Sequence, residues 1–128
     1  MKLSIIIPVY NEENTIKKLI HKVINNNYEN KEIIIIDDCS SDKSLEIINN
    51  YPNNSEFIIL KHKKNKGKGA CIKTAIEFVT GDICLIQDAD LEYDPKEHIR
   101  LINPILNGNA DVVYGSRFKG YGESRSLL

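Results

Sequence analysis

The sequence predicts an α/β protein on a mostly parallel, Rossmann-like open sheet with helices on both faces. Three observations carry this. Apolar, β-branched runs without polar alternation recur at 3–9, 31–38, 56–61, 81–88 and 110–116. Such strands belong inside a sheet covered on both sides, hence a parallel one. Segments with apolar residues at helical spacing separate them, the alternation that builds right-handed crossovers. Finally, the strand ends read "PVYNEE", "IDDCS", "KHKKNKGKG", "QDADLE" and "GSRF". A core does not require that charge, whereas open α/β sheets bind ligands at the carboxyl ends of their strands.

In order, "LSIIIPV" reads as a buried strand that Pro8 ends or turns. In "NEENTIKKLIHKVINNN", residues Ile16, Leu19, Ile20, Val23 and Ile24 form one helical stripe, with Asn11 as its cap and acidic residues in the first turn. "KEIIIIDD" is the second strand. Ser40, Ser41 and Asp42 offer caps for a short helix carrying Leu45, Ile47 and Ile48, and "YPNN" turns the chain. "EFIILK" is the third strand; Ile72, Ala75, Ile76 and Val79 then share a helical face, and "GDICLIQD" is the fourth strand. Pro95 opens a helix with Ile99, Ile102 and Leu106 that Pro104 ends or kinks, and "ADVVYGS" is the fifth strand.

At 128 residues the length fits one domain. Lys plus Arg is 17 against 18 for Asp plus Glu, a net charge of -1 that gives no general attraction to nucleic acid or membrane. Any electrostatic function is therefore local. Cys39, Cys71 and Cys84 are odd in number and widely spaced, which predicts free thiols, small core fillers in a reducing compartment, and no zinc site. The N-terminus resembles no targeting peptide, and no run approaches the ~20 apolar residues of a spanning helix.

Four carboxylates crowd into "DADLEYD": Asp88, Asp90, Glu92 and Asp94. Like charges repel, so the cluster needs a counter-charge. Were the chain extended past Asp88, its period of two would point Asp88, Asp90 and Glu92 to one side. Three hard oxygen ligands suit Mg²⁺ or Mn²⁺, and such a cation carrying a diphosphate would complete the site. The alternative is a solvated turn capping the next helix, the role left to Asp94. Of Asp37 and Asp38, adjacent and opposed, one suits a nucleoside and the other a helix cap.

The lysine run at 61–68 suits phosphate contact at a helix N-terminus, with Gly67 and Gly69 allowing close approach, or a solvated loop; only Lys68 is kept as a site candidate. The spacing of a P-loop is absent. Without interleaved aromatics the run does not predict nucleic-acid binding. Arg117 offers a planar fork to phosphate oxygens, against an ordinary surface ion pair. His21, His62 and His98 have no acid or nucleophile at useful spacing and read as solvated.

Taken together, "IIIPVYNEENTI", "EIIIIDDCSSDKS", "NKGKGACIKTAI", "GDICLIQDADLEYDP" and "ADVVYGSRF" resemble the successive motifs of family 2 glycosyltransferases of GT-A fold, from residue 3 to about residue 120. The likeness is strongest to the dolichyl-phosphate mannosyltransferase and polyprenyl-phosphate glycosyltransferase branch. The resemblance implies that residues 1–120 are a nucleotide-sugar-binding half and that 121–128 begin an acceptor-binding region that continues further. It implies that Pro8, Tyr10 and Glu12 line the nucleotide pocket and that Ile36 and Asp38 contact the nucleoside. By the same likeness, Asp88, Ala89 and Asp90 hold the metal and diphosphate, and Arg117 faces phosphate. The third metal ligand falls at Glu92, where the family commonly has Gln or Ser. Cys39 stands where the family often has Gly, so a positive φ there would bring strain.

The implied reaction is inverting transfer of a sugar from a nucleotide-diphosphate-sugar, GDP-mannose or a UDP-sugar, to polyprenyl phosphate, with Mg²⁺ or Mn²⁺ as cofactor and Asp90 and Arg117 as the catalytic pair. This implies a cytoplasmic protein working at the cytoplasmic face of a membrane. A second copy of the chain is a further expected partner, through apolar surface that a missing acceptor half would leave bare. Two other readings stand: transfer to a sugar hydroxyl in polysaccharide or cell-wall synthesis, which needs a carboxylate base, and a nucleotide-sugar-binding fragment without turnover.

Overall fold

The computed structural model describes residues 1–26, 28–90, 95, 113–114 and 124–125. Strands β1 (Leu3–Val9), β2 (Lys31–Asp37), β3 (Phe57–Lys61), β4 (Ile83–Ile86), β5 (Val113–Tyr114) and β6 (Ser124–Arg125) form one sheet in the order β3-β2-β1-β4-β5-β6. Every neighbouring pair is parallel except β5 and β6. Helices α1 (Ile16–Ile24), α2 (Ser44–Asn49) and α3 (Lys68–Ile76) connect the first four strands. The expected mostly parallel sheet is present, with an antiparallel edge strand that was not expected. The expected helix over 95–107 lies outside the described residues, apart from the buried Pro95.

Alternation along the strands explains why helices are needed on both faces. Ile5, Ile7, Ile33 and Ile35 belong to one core with Ile16, Leu19, Ile20 and Val23 of α1 and Ile48 of α2. Ile6, Ile34 and Ile36 belong to the other, with Cys71, Ile72 and Ala75 of α3. Fully burying one such isoleucine stabilises by about 1.5–3 kcal/mol, so neither face can be left to water. None of the described helices is long and apolar enough to cross a membrane.

The helix boundaries differ from expectation. α1 begins at Ile16, with no acidic residue in its first turn and no capping side chain. Asn11 instead sits in the left-handed region, φ 53°, and its Oδ1 accepts from the backbone N–H of Ser41 (2.8 Å) and Asp42 (3.3 Å). Asn11 N–H, Glu12 N–H and Glu13 N–H donate in return to Ser40 Oγ (2.9 Å), Ser44 Oγ (2.8 Å) and Asp42 Oδ2 (3.1 Å). The loops after β1 and β2 are thus locked together. Ile24 and Ile76 are exposed rather than buried, and Cys71 takes a place on the buried face of α3.

Pro8 lies within β1 rather than at its end. The ladder between β1 and β4 stops at Ile6–Ile86, with Gln87 N–H donating to Ile6 carbonyl (2.9 Å). Beyond that point β4 asks no donor of β1, so a residue without N–H is tolerated. The two strands part there, at the position where the strand order changes direction. This is the crevice in which open α/β sheets place ligands.

Candidate functional site

A cleft of about 360 Å³ opens at that parting, lined by Pro8, Val9, Tyr10 and Glu12 after β1, Asp38 after β2, Lys68 and Cys71 of α3, and Asp88, Ala89 and Asp90 after β4. Residues 89–90 form a turn, not the extended continuation expected from the sequence. Thr15 causes this in part: its hydroxyl donates to Ala89 carbonyl (2.7 Å), drawing the chain toward α1. Asp88 and Asp90 nevertheless both line the cleft.

Part of the missing counter-charge is the protein's own. Lys68 Nζ forms an ion pair with Asp88 Oδ1, where an ion and a diphosphate alone were expected. The other lysines of the run, Lys61, Lys63, Lys64 and Lys66, are exposed. The cleft remains acidic. Burial, then the charges of Asp90, Asp42 and Asp88, raise the Glu12 carboxyl above its usual range, against a lowering hydrogen bond from Thr15.

Asp37 and Asp38 divide their tasks. Asp37 accepts from Ser40 N–H (3.0 Å) and Ser40 hydroxyl (2.6 Å), which fixes the loop before α2. Asp38 turns the other way and is almost fully buried at the cleft. Its Oδ1 accepts from Lys66 N–H (2.9 Å) and stands 2.8 Å from His62 Nδ1; its Oδ2 accepts from Gly67 N–H (2.8 Å). Gly67 has φ 93°, a conformation side chains rarely adopt, and this presents the N–H groups before α3 to a carboxylate. Burial alone would raise the Asp38 carboxyl, but these hydrogen bonds outweigh it and hold it below the usual range.

His62 corrects the sequence reading. It is buried rather than solvated, and its Nε2 stands 2.9 Å from Thr74 Oγ1 of α3. No motif announces it, but strand register does: Asp37 pairs with Lys61, so the residue after each falls side by side. Cys71 Sγ lies 3.9 Å from His62 Nδ1, a Cys/His association the sequence spacing did not predict. Asp38, His62 and Cys71 bring ligand atoms within 4.8 Å of one another. Burial, then Asp38, push the Cys71 thiol up to about 12, and imidazole and carboxylate are already hydrogen-bonded, so the trio is closed on itself. The hard oxygens of Asp88 and Asp90, facing the cleft, fit Mg²⁺ or Mn²⁺ better.

Other expectations fare variously. Ile36 is a core residue of the α3 side, fully buried and absent from the cleft lining, so only its backbone could meet a nucleoside. His21 is exposed, as expected. Cys39 is exposed, not a core filler, and has φ 61°, the left-handed conformation that favours glycine. The three cysteines are free thiols; Cys84 is half-buried, its thiol raised to about 11 by burial and then Glu32. Glu92, Asp94, His98 and Arg117 lie outside the described residues.

A central parallel sheet, crossover helices on both faces and an acidic cleft at the switch point describe a ligand-binding α/β fold of the doubly wound kind. The structure superposes on residues 1–349 of S. aureus TarS, solved with UDP-GlcNAc, at a TM-score of 0.71 and 27% identity, covering 84% of this chain and 32% of that one. Residues 4–127 match the model of glycosyl transferase family 2, and the chain belongs to that family. It is 36% identical over 142 residues to the UDP-N-acetylglucosamine–dolichyl-phosphate N-acetylglucosaminyltransferase of Methanococcus voltae, covering 98% of this chain and 55% of that protein. It is 32% identical over 119 residues to the dolichol-phosphate mannosyltransferase of Pyrococcus furiosus, covering 92% and 34%. The chain thus spans about half or less of the length of these relatives.

Proposed function

We propose that this chain is the donor-binding half of an inverting glycosyltransferase that moves a sugar from a nucleotide-diphosphate-sugar to a polyprenyl phosphate. The observation that carries the reading is the convergence of Glu12, Asp38, Asp88, Asp90 and Lys68 on one cleft at the switch point of the sheet. Asp38 takes the nucleoside end, with Pro8 and Tyr10 beside it and Ile36 through its backbone. Asp88 and Asp90, with Glu92 and the Ala89 backbone, take the diphosphate end. A divalent cation held by those carboxylates would act as a Lewis acid toward charge on the departing diphosphate. Lys68, released from Asp88, and Arg117 would add fixed positive charge there. A phosphate acceptor is already anionic near neutral pH and needs little help from a general base. Such an acceptor would place the reaction at the cytoplasmic face of a membrane. Relatives named for dolichyl phosphate support that acceptor class.

Calorimetric titration with GDP-mannose, UDP-glucose and UDP-GlcNAc, with and without Mn²⁺, tests the reading. Binding of one donor should require the metal. Loss of even an outer partner of a metal ligand costs 10–100-fold in affinity, so Asp90→Asn should cost about 100-fold or more. Unchanged affinity in that variant removes the metal assignment, and no donor binding in the unmodified protein removes the function.

A further inference from the structure

We propose that Lys68 couples the binding of the divalent cation to that of the nucleotide diphosphate: it pairs with Asp88 until a nucleotide binds, and then transfers to the diphosphate. The inference rests on the reading of the cleft as a nucleotide-sugar site and deepens it, by making the two ligands cooperative through one side chain.

The observation that carries it is the ion pair between Lys68 Nζ and Asp88 Oδ1, two residues that both line the cleft. A carboxylate paired with an ammonium is a poor ligand for a cation, because the two positive charges repel across it. Asp88 therefore cannot serve the lysine and a divalent cation at full strength together. Lys68 is suited to leave. It is the first residue of α3, and its ammonium rides on a flexible four-carbon stem. Its side chain is 27% exposed against 15% for Asp88, so the pair is open to water on the lysine's side and is cheaply broken. A Cβ at Gly67 or Gly69 would meet nothing within 4 Å, so the space beside both its chain neighbours is open. Among the described residues no second ion pair holds it. Because its nitrogen already stands at Asp88, the residue assigned to the diphosphate end, phosphate oxygens arriving there come within its reach.

Thermodynamic linkage fixes the consequences. A nucleotide that draws Lys68 off Asp88 raises the affinity for the cation, and the cation raises the affinity for the nucleotide by the same factor. Without the lysine, Asp88 is relieved from the start and the coupling shrinks. Lys68→Ala should bind Mn²⁺ alone five- to tenfold more tightly, and Mn²⁺ in the presence of saturating nucleotide about as the unmodified protein does. Nucleotide affinity should fall about tenfold with Mn²⁺ present, the loss of one charged contact. Without Mn²⁺ it should fall no more than about twofold. There the phosphate contact made by Lys68 is offset by the Asp88 pair it gives up.

The test is calorimetric titration of the purified protein with Mn²⁺, with UDP and with GDP, each alone and then Mn²⁺ together with either nucleotide. Mn²⁺ also binds these nucleotides in solution, equally for every variant, so the coupling factor is compared between proteins. It should fall five- to tenfold in Lys68→Ala. Lys68→Gln, which keeps the length and loses the charge, should repeat that result and decides the matter if the alanine variant does not fold. Lys68→Arg keeps the charge and can pair a carboxylate through two donors, so it should bind Mn²⁺ alone no more tightly than the unmodified protein. An unchanged coupling factor in the uncharged variants overturns the proposal, as does weaker binding of Mn²⁺ alone, the mark of general damage. Failure of the unmodified protein to bind either nucleotide overturns the reading of the cleft itself, and is seen before any variant is made.

Discussion

The two ends of the sheet treat charge in opposite ways. At the amino end, Glu32 accepts from Ser4 hydroxyl, Thr80 N–H (2.6 Å) and Thr80 hydroxyl (2.9 Å), with Lys2 Nζ 3.7 Å away. Asp82 accepts from Lys2 N–H (2.8 Å), and Gly81 packs with its N–H on Ser4 Oγ (2.9 Å). That end is closed by the chain's own donors. At the carboxyl end, Glu12, Asp38, Asp88 and Asp90 share a cleft with Lys68, the one lysine of its lining among the described residues. Asp38 there is held by Lys66 N–H and Gly67 N–H of the adjoining loop. The contrast separates polar groups that hold a fold from polar groups arranged for something else to complete.

The carboxyls record the difference. Burial raises both Glu12 and Glu32, but at Glu32 the donors Ser4, Thr80 and Lys2 outweigh burial and bring it below its usual range. At Glu12 the neighbouring aspartates add to burial and leave it above. Glu32 gains stability from its charge, and Glu12 gives some up.

The sharpest break in this comparison is Gly81→Ala. A Cβ there would meet Lys2 carbonyl at 2.7 Å and Ser4 N at 2.9 Å, both backbone atoms that cannot swing aside. A cost of about 3 kcal/mol is expected, read as a fall in melting temperature of roughly 12 °C or more. Mn²⁺ and nucleotide affinity of the folded fraction should be unchanged. A loss of binding at constant stability would show that the ends are not independent.

A smaller effect is expected from Lys68→Ala, and its two readouts should have opposite signs. Without the lysine, Asp88 is relieved of a competitor, so Mn²⁺ alone should bind roughly five- to tenfold more tightly. Nucleotide diphosphate should bind about tenfold more weakly in the presence of Mn²⁺, for loss of a charged contact to phosphate. Titration of each ligand separately distinguishes this from general damage, which would weaken both.

The smallest effects are in the pH dependence of stability. Glu32, with a lowered folded pKa, contributes stability that is present above its unfolded pKa near 4.5 and is lost as pH falls through the folded value. Glu32→Gln should therefore destabilise near neutral pH and flatten the acid limb. Glu12, with a raised folded pKa, works in the other direction: stability falls as pH rises from about 4.5 through the folded value. Glu12→Gln should be slightly stabilising at neutral pH and neutral in acid. Denaturant melts at several pH values should show slopes of opposite sign for the two variants.

Much of this was legible in the sequence, and for identifiable reasons. "KEIIIIDD" announces a strand buried on both faces, and both faces are covered. Alternation at Asp37 and Asp38 carries across the strand end, so two adjacent acids could be assigned to opposite sides. What failed depended on contacts between segments distant in sequence. Asn11 looks like a helix cap until Ser41 and Asp42 claim it. Residues 88–90 look extended until Thr15 takes the Ala89 carbonyl. His62 is invisible beside a run of lysines, because its partners stand 24 residues before it at Asp38 and 12 after it at Thr74. Register between β2 and β3 would have brought it to light.

The mutual clasp of residues 11–13 with 40–44 has one further consequence. Backbone amides on each loop are already spoken for by side chains of the other, so the rim beside the cleft is assembled before any guest arrives. A ligand settling there has little chain left to immobilise, and more of its contact energy survives as affinity.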